Sequence, residues 1–205
     1  MQLKEIVPEY RSKNPFVRKL FLNRLDSAIK LVGDDKSILK KIIDLGCGEG
    51  TLLKILEKRF KNADIFGIDI EPNVLDLKDF TSVEIKVVDL RKTGYPDNFF
   101  DLAFCLDVLE HFENLEAPVR EIKRIIKPDG LLVVSLPTEN NLYKLCRLIL
   151  KGTTSSKKGP CSSPHFFGAG FIENFIASNG FQNNKKIVLP SRLLPLFDLV
   201  LFRKQ

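Results

Sequence analysis

The chain has 205 residues, 32 Lys and Arg against 26 Asp and Glu, a net charge of +6, and 44% hydrophobic residues. That is the length of one domain, or of one domain with a lid, and enough apolar content to bury a core; a wholly disordered chain is excluded. The positive excess is modest and scattered, so it permits an anionic partner without requiring nucleic acid. Cys47, Cys105, Cys146 and Cys161 form no CxxC pair, and only two histidines are present. This argues against a zinc site and fits a reducing compartment. The opening MQLKEIVPEYRSK carries no apolar run of the signal-peptide kind, and no stretch of about 18 apolar residues occurs anywhere, so a cytoplasmic chain is expected.

In chain order, Asn14 can cap a first helix, Pro15 suits its first turn, and Gly33 can end it. Phe16, Val17, Leu20, Phe21, Leu25, Ala28, Ile29 and Val32 give it an apolar stripe at helical spacing. Ile42 and Ile43 form a short strand that runs into Asp44 and a glycine-rich turn, and Leu52, Leu53, Ile55, Leu56 and Phe60 follow at helical spacing. A second strand is expected from Asp64 to Ile70, a short helix around Pro72 to Leu77, and a third strand from Val83 to Val88. The fourth, Asp101 to Leu106, is apolar almost throughout, as a strand covered on both faces must be. A helix from about Leu115 to Lys127, a turn at Lys127-Pro128-Asp129-Gly130 and a fifth strand from Leu131 to Leu136 follow. Then come an amphipathic helix over Leu142 to Leu150, a Ser-, Gly- and Lys-rich loop over 151–164, and a short helix from Gly170 to Asn179. Two last strands, 181–189 and 197–203, are joined by a connection containing Pro190 and Pro195 that is too short for a crossover helix, so they should be antiparallel.

Three acidic residues at strand ends carry the chemical signal. Asp44-Leu45-Gly46-Cys47-Gly48-Glu49-Gly50 lies between a strand and a helix, where glycines let a ligand approach the backbone. A dinucleotide fingerprint needs a third glycine or alanine at the place of Thr51, so that match fails by one residue. Asp69 ends the next strand and offers two oxygens to the two hydroxyls of a ribose. Asp89 ends the third strand, where it can accept from an exocyclic amine while the Leu90 N–H serves a ring nitrogen.

Taken together, these residues resemble the class I S-adenosylmethionine-dependent methyltransferases. IIDLGCGEG is similar to their first motif, GIDI to their second, VVDL to their adenine-binding turn, FFDLAFCLDVLEHF to their fourth motif, and IIKPDGLLVVSLP to their turn into strand five. PHFFGAGFIENFIASNGF resembles the segment before their strand six, so the likeness covers about four-fifths of the chain. It implies a doubly wound, Rossmann-like α/β fold with a seven-stranded sheet in the order 3-2-1-4-5-7-6 and strand 7 antiparallel. It implies one methyltransferase domain over 1–205, with an N-terminal helix region at 1–35 and a lid or acceptor region at 138–180. The implied cofactor is S-adenosylmethionine, leaving as S-adenosylhomocysteine. Asp44, Gly46, Cys47, Gly48 and Gly50 would hold its methionine part and Asp69 its ribose. Ile70 would pack on the adenine, Asp89 and Leu90 would read its edge, and Leu106 and Asp107 would face the methyl. For Ile70 core packing competes with this role, and for Asp107 capping of the next helix does.

A sulfonium donor is already activated, so the protein must position the acceptor and, for an oxygen nucleophile, supply a base. The candidates are His111, beside the expected methyl, and His165, after the 151–164 loop; each competes with a structural hydrogen bond. Phe166, Phe167 and Phe171 are candidate walls of an apolar acceptor pocket. Some quinone-pathway O-methyltransferases of this class carry a similar Glu-His pair associated with a divalent metal, but the rest of such a site is not evident here, and no metal ligand is assigned. The expected acceptor is a small molecule, with transfer to oxygen favoured. No Asn/Asp-Pro-Pro-Tyr run follows strand four, which argues against DNA bases, and no RNA-binding module is recognisable. The alternatives are an RNA or protein methyltransferase, a non-catalytic S-adenosylmethionine-binding protein, and a nicotinamide-dependent oxidoreductase. The apolar stretch from Leu189 to Phe202 and the helix 142–150 raise a peripheral membrane surface or lipid-linked substrate as a further partner, against a plain core or a dimer interface. Monomer and homodimer stay open.

Overall fold

The computed structural model describes residues 14–33, 38–72, 74, 80–138 and 165–205. The helix expected over 142–150 and the loop over 151–164 lie outside these residues, as does most of the short helix expected around Pro72 to Leu77. The described elements are α1 (Pro15–Leu31), β1 (Lys41–Leu45), α2 (Thr51–Arg59), β2 (Asp64–Asp69), β3 (Val83–Val87), β4 (Phe100–Leu106), α3 (Glu116–Ile125), β5 (Ile126–Pro137), α4 (Ala169–Ser178), β6 (Phe181–Ser191) and β7 (Leu194–Lys204), with one 3₁₀ turn at Leu109–His111 after β4.

The strands form one seven-stranded sheet in the order β3-β2-β1-β4-β5-β7-β6. The first five are parallel, and β7 runs antiparallel to both β5 and β6. This is the expected doubly wound topology. Successive residues of β4 point to opposite faces, and both faces are covered. Leu102 and Phe104 join α1 and α2 residues such as Leu25, Ile29, Leu53 and Leu56 in one core. Ala103 and Cys105 join Val119 and Ile122 of α3 and Ile172 and Ile176 of α4 in the other. A strand buried on both sides has no polar face, which is why its sequence reads as a continuous apolar run.

Three local readings are corrected. Asn14 does cap α1, its side chain accepting from the Phe16 N–H at 3.0 Å, but Phe16 itself is 83% exposed and stands outside the stripe. The Lys127-Pro128-Asp129-Gly130 segment is not a turn before β5 but an irregularity within it. Ile126 pairs with Phe100 and Leu131 with Leu102, so extra residues bulge from the ladder, with Asp129 at φ 60°. The last two strands are longer than expected, and both prolines lie in them, Pro190 opposite Pro195. The apolar stretch before Phe202 is then mostly core: Phe197, Leu199, Val200, Leu201 and Phe202 are buried, and Leu193 at the hairpin tip is 91% exposed. No helix among the described residues is long and apolar enough to cross a membrane.

Candidate functional site

Parallel strands β1, β2 and β4 all end on one edge of the sheet, beside the point where the strand order reverses between β1 and β4. The ends of these strands and of β3, with the loops leaving them, carry every candidate cofactor and catalytic residue named above except His165, which comes from the chain before α4 with Phe166 and Phe167.

The glycine-rich turn is held by its own neighbours. The N–H groups of Gly46 and Cys47 both donate to the Ile68 carbonyl, at 2.8 and 2.9 Å. The Gly48 N–H donates to Asp69 Oδ2 at 2.8 Å, and the Glu71 N–H to Asp69 Oδ1 at 3.0 Å. Asp69 therefore ties the turn to the end of β2; a carboxylate offers about four acceptor directions, which leaves capacity for two further hydroxyl donors. Gly46 lies at φ 86°, where a side chain is strained, and a Cβ there would fall 2.4 Å from Val108 Cγ2. Its missing side chain thus serves close packing of the β1 and β4 loops. The Cys47 side chain turns inward, with Sγ 3.1 Å from where a Cβ on Gly67 would sit, and burial pushes its thiol up.

Asp44 is buried at the end of β1. Burial first, and the Asp69 charge second, push its carboxyl up to about 8. A carboxyl in that state gains from a nearby cationic group, of which an α-ammonium is one. Ile70 is 62% exposed, which removes core packing as its explanation and leaves an apolar side chain standing at the rim beside Asp69. A flat apolar ring and an ammonium on one ligand are what these two residues fit, so the residues present suit the aminoacyl and adenine ends of S-adenosylmethionine. Leu90 is buried. Asp89 is paired with Arg91, whose side-chain hydrogen bonds hold its carboxyl below the usual carboxylate range. An amine read by Asp89 shares that carboxylate with Arg91.

At the end of β4, Leu106 is half-buried and Asp107 takes φ 57°, a left-handed conformation that Asp tolerates. Its N–H donates to the Ser135 carbonyl at 3.1 Å. Its carboxylate accepts from Ser135 Oγ at 3.0 Å and forms an ion pair with Arg24 of α1. Helix capping is therefore not its role. Arg24, only 2% exposed, is the residue that the sequence reading missed. The signal was present: a charge stands at the stripe position between Phe21 and Ala28, where an apolar side chain belongs.

The turn Leu109–His111 brings Glu110 and His111 to the same edge. The Phe166 N–H donates to the Glu110 carbonyl at 2.9 Å, which anchors the segment carrying His165. The His111 and His165 rings then meet edge to face, with centroids 4.9 Å apart. Glu110, His111 and His165 place one ligand-capable atom each within 4.8 Å of one another. One carboxylate and two imidazoles form a donor set that suits a divalent transition metal. Phe166 and Phe171 are exposed, and Phe171 stacks between Phe167, at 4.7 Å, and Phe175, at 6.3 Å.

Comparison with known proteins gives the family. Residues 43–134 match the methyltransferase-domain family (Methyltransf_11). The chain is 31% identical over 177 residues to a ubiquinone biosynthesis O-methyltransferase of Actinobacillus pleuropneumoniae, covering 81% of this chain and 67% of that protein. It is 32% identical over 130 residues to an uncharacterized protein of Methanocaldococcus jannaschii, of which it spans 54%, so it covers only about half the length of that relative. The crystal structure of an S-adenosylmethionine-dependent methyltransferase from Mesorhizobium loti shares the fold, with a TM-score of 0.66 at 20% identity, covering 88% of this chain and all of that one. The chain belongs to the class I S-adenosylmethionine-dependent methyltransferases.

Proposed function

We propose that this protein transfers the methyl group of S-adenosylmethionine to an oxygen of a small-molecule acceptor. The observation that carries the proposal is the meeting of the two imidazoles, His111 and His165, on the edge of the sheet where Asp44 and Asp69 end their strands. The O-methyltransferase relative supports oxygen as the accepting atom.

S-adenosylmethionine, when bound, supplies a methyl group already activated on a sulfonium sulfur. Asp44 takes the α-ammonium, Asp69 the ribose hydroxyls, Ile70 one face of the adenine, and Asp89 with the Leu90 N–H its edge. The acceptor lies between the β4 loop and the segment from His165 into α4, with Phe166, Phe167 and Phe171 against its apolar part. One imidazole of the pair accepts the hydroxyl proton as the acceptor oxygen closes on the methyl carbon, and the other holds the first in place. The turn at Leu109–His111 and the 165–168 segment are tied by the Phe166-to-Glu110 backbone bond, which holds that geometry.

The same cluster favours a second reading, in which Glu110, His111 and His165 hold a divalent cation that lowers the pKa of the acceptor hydroxyl. Loss of transfer on chelation, with recovery on adding zinc or manganese, selects this version; activity untouched by the chelator selects the imidazole base.

The primary test is calorimetric binding of S-adenosylhomocysteine, with a nicotinamide dinucleotide as the control and Asp69→Ala as the comparison. Micromolar binding that D69A weakens by about 100-fold or more is expected, because the variant loses charge-assisted bonds and the tie that shapes the turn. No binding to the wild-type chain overturns the proposal.

A further inference from the structure

The ion pair between Arg24 and Asp107 is lopsided. Its cation is 2% exposed, while the Asp107 side chain is 30% exposed and borders the end of β4. Arg24 also donates to Ser135 Oγ at 3.5 Å, and Ser135 Oγ donates on to Asp107 at 3.0 Å. The guanidinium lies 4.9 Å from the Phe21 ring centroid and 4.6 Å from that of Phe197, whose rings meet edge to face. Two aromatic faces, a hydroxyl and a carboxylate thus fix one buried charge at the tip of β4.

Burying a guanidinium is costly, and an apolar side chain would serve better if the only task were to dock α1 on the sheet. That docking already rests on Leu25, Ala28 and Ile29, all buried in the core on the face of the sheet where α1 packs against β5, β6 and β7. What an apolar residue could not do is cancel the charge of Asp107. Resting on the function proposed above, Asp107 stands at the methyl end of the donor, where the sulfur carries one positive charge before transfer and none after. In transfer, the acceptor oxygen's lone pair forms the bond to the methyl carbon, the C–S bonding pair returns to sulfur, and the acceptor proton passes to the imidazole. A bare carboxylate beside the sulfur would stabilise the charged reactant more than a transition state in which that charge is vanishing, and so would slow the step.

We infer that Arg24 is a positioning residue that neutralises Asp107 and thereby sets how strongly the site prefers the sulfonium donor over the thioether product. The pair keeps Asp107 in place as a shaped, hydrogen-bonded wall while removing its field from the sulfur.

The test compares binding of S-adenosylmethionine with binding of S-adenosylhomocysteine by calorimetry, in the wild-type chain, Arg24→Met, Asp107→Asn and the double variant. The two ligands differ at the sulfur in one methyl and one charge, so a loss of structure alone weakens both and leaves their ratio unchanged. In R24M the ratio moves toward S-adenosylmethionine by about tenfold or more, since one uncompensated charge a few ångströms away is worth from about fivefold in bulk water to about 10³-fold near a protein surface. In D107N the uncompensated guanidinium moves it the other way, and the double variant returns it to near the wild-type value. D107N carries the test on its own if R24M does not fold, as judged by its melting transition. A ratio unchanged in every folded single variant overturns the inference and leaves the pair as a structural tie. A wild-type chain that binds neither ligand overturns the underlying function instead.

Discussion

The two halves of the proposed site are built in different ways. On the donor side, Asp44, the Gly46–Gly50 turn, Asp69 and Ile70 lie within one strand-turn-helix-strand unit, and the bonds that shape the turn are local. On the acceptor side, Arg24, Asp107, Ser135, His111 and His165 come from four separated stretches of chain and meet only because the sheet is assembled. The donor half is a backbone device whose side chains fix one loop. The acceptor half is a set of side chains whose geometry belongs to the whole fold. Substitutions on the donor side should therefore act through affinity and those at His111 and His165 through turnover, while Arg24 and Asp107, beside the sulfur, act on the ratio of the two donor-site ligands.

That contrast is most exposed to a test at the histidines. His111→Ala and His165→Ala should each lower kcat by about 10²- to 10⁴-fold, the usual worth of a general base, while the affinity for S-adenosylhomocysteine measured by calorimetry hardly changes. A matching loss of affinity would break the division between the halves.

Asp44→Asn comes next and works in two directions. Loss of the carboxylate should weaken S-adenosylhomocysteine by about 100-fold, the worth of a partly buried charge-assisted contact. Wild-type affinity should rise between pH 6 and 8, because the ammonium binds the ionised carboxylate and the carboxyl lies at about 8 in the folded chain. Its folded value is raised above the unfolded value of about 3.9, so the folded state holds this proton more tightly. The resulting stabilisation is complete below the unfolded value and is lost as pH rises through the window up to about 8. The Asn side chain does not titrate. The melting temperature of the ligand-free variant should therefore gain on wild type from pH 5 to 8 and then level off; a parallel pair of curves would show that Asp44 is not held in this way. A binding residue that costs stability is a familiar trade.

The smallest expected effect is at Ile70. Ile70→Ala removes apolar surface that is 62% exposed, so the melting temperature should move little. Affinity for S-adenosylhomocysteine should fall roughly three- to fivefold, the order given by the apolar area that a stacked ring would cover.

What could be read from the sequence follows the same division. The donor half was legible because a glycine-rich turn and an acidic strand end are each coded by a few consecutive residues, as at Gly46 to Gly50 and at Ile68 to Ile70. The strand order was legible because five motifs kept their sequence order. Arg24 was not, because nothing near it in the chain names Asp107 as its partner; the pairing exists only once α1 packs on β5, β6 and β7 and brings Arg24 to the end of β4. The β5 irregularity was misread for a similar reason. Lys127-Pro128-Asp129-Gly130 has the composition of a turn, and only the pairing of Ile126 with Phe100 shows that the strand has already begun. The approach of His165 to His111 was likewise set by a tertiary backbone bond.

The outer hairpin has one more consequence. β6 forms an open margin of the sheet, and an open margin offers backbone groups to any extended chain that meets it. Here Lys185 lies on that strand beside Lys186, whose charge is taken up by Glu173 and Asp198, and Pro190 withholds an N–H near its end, with Pro195 facing it across the hairpin. A second molecule trying to add its own strand meets a charged side chain and a missing donor. The sheet thus ends at β6 in a border that resists fibril-like growth at high protein concentration.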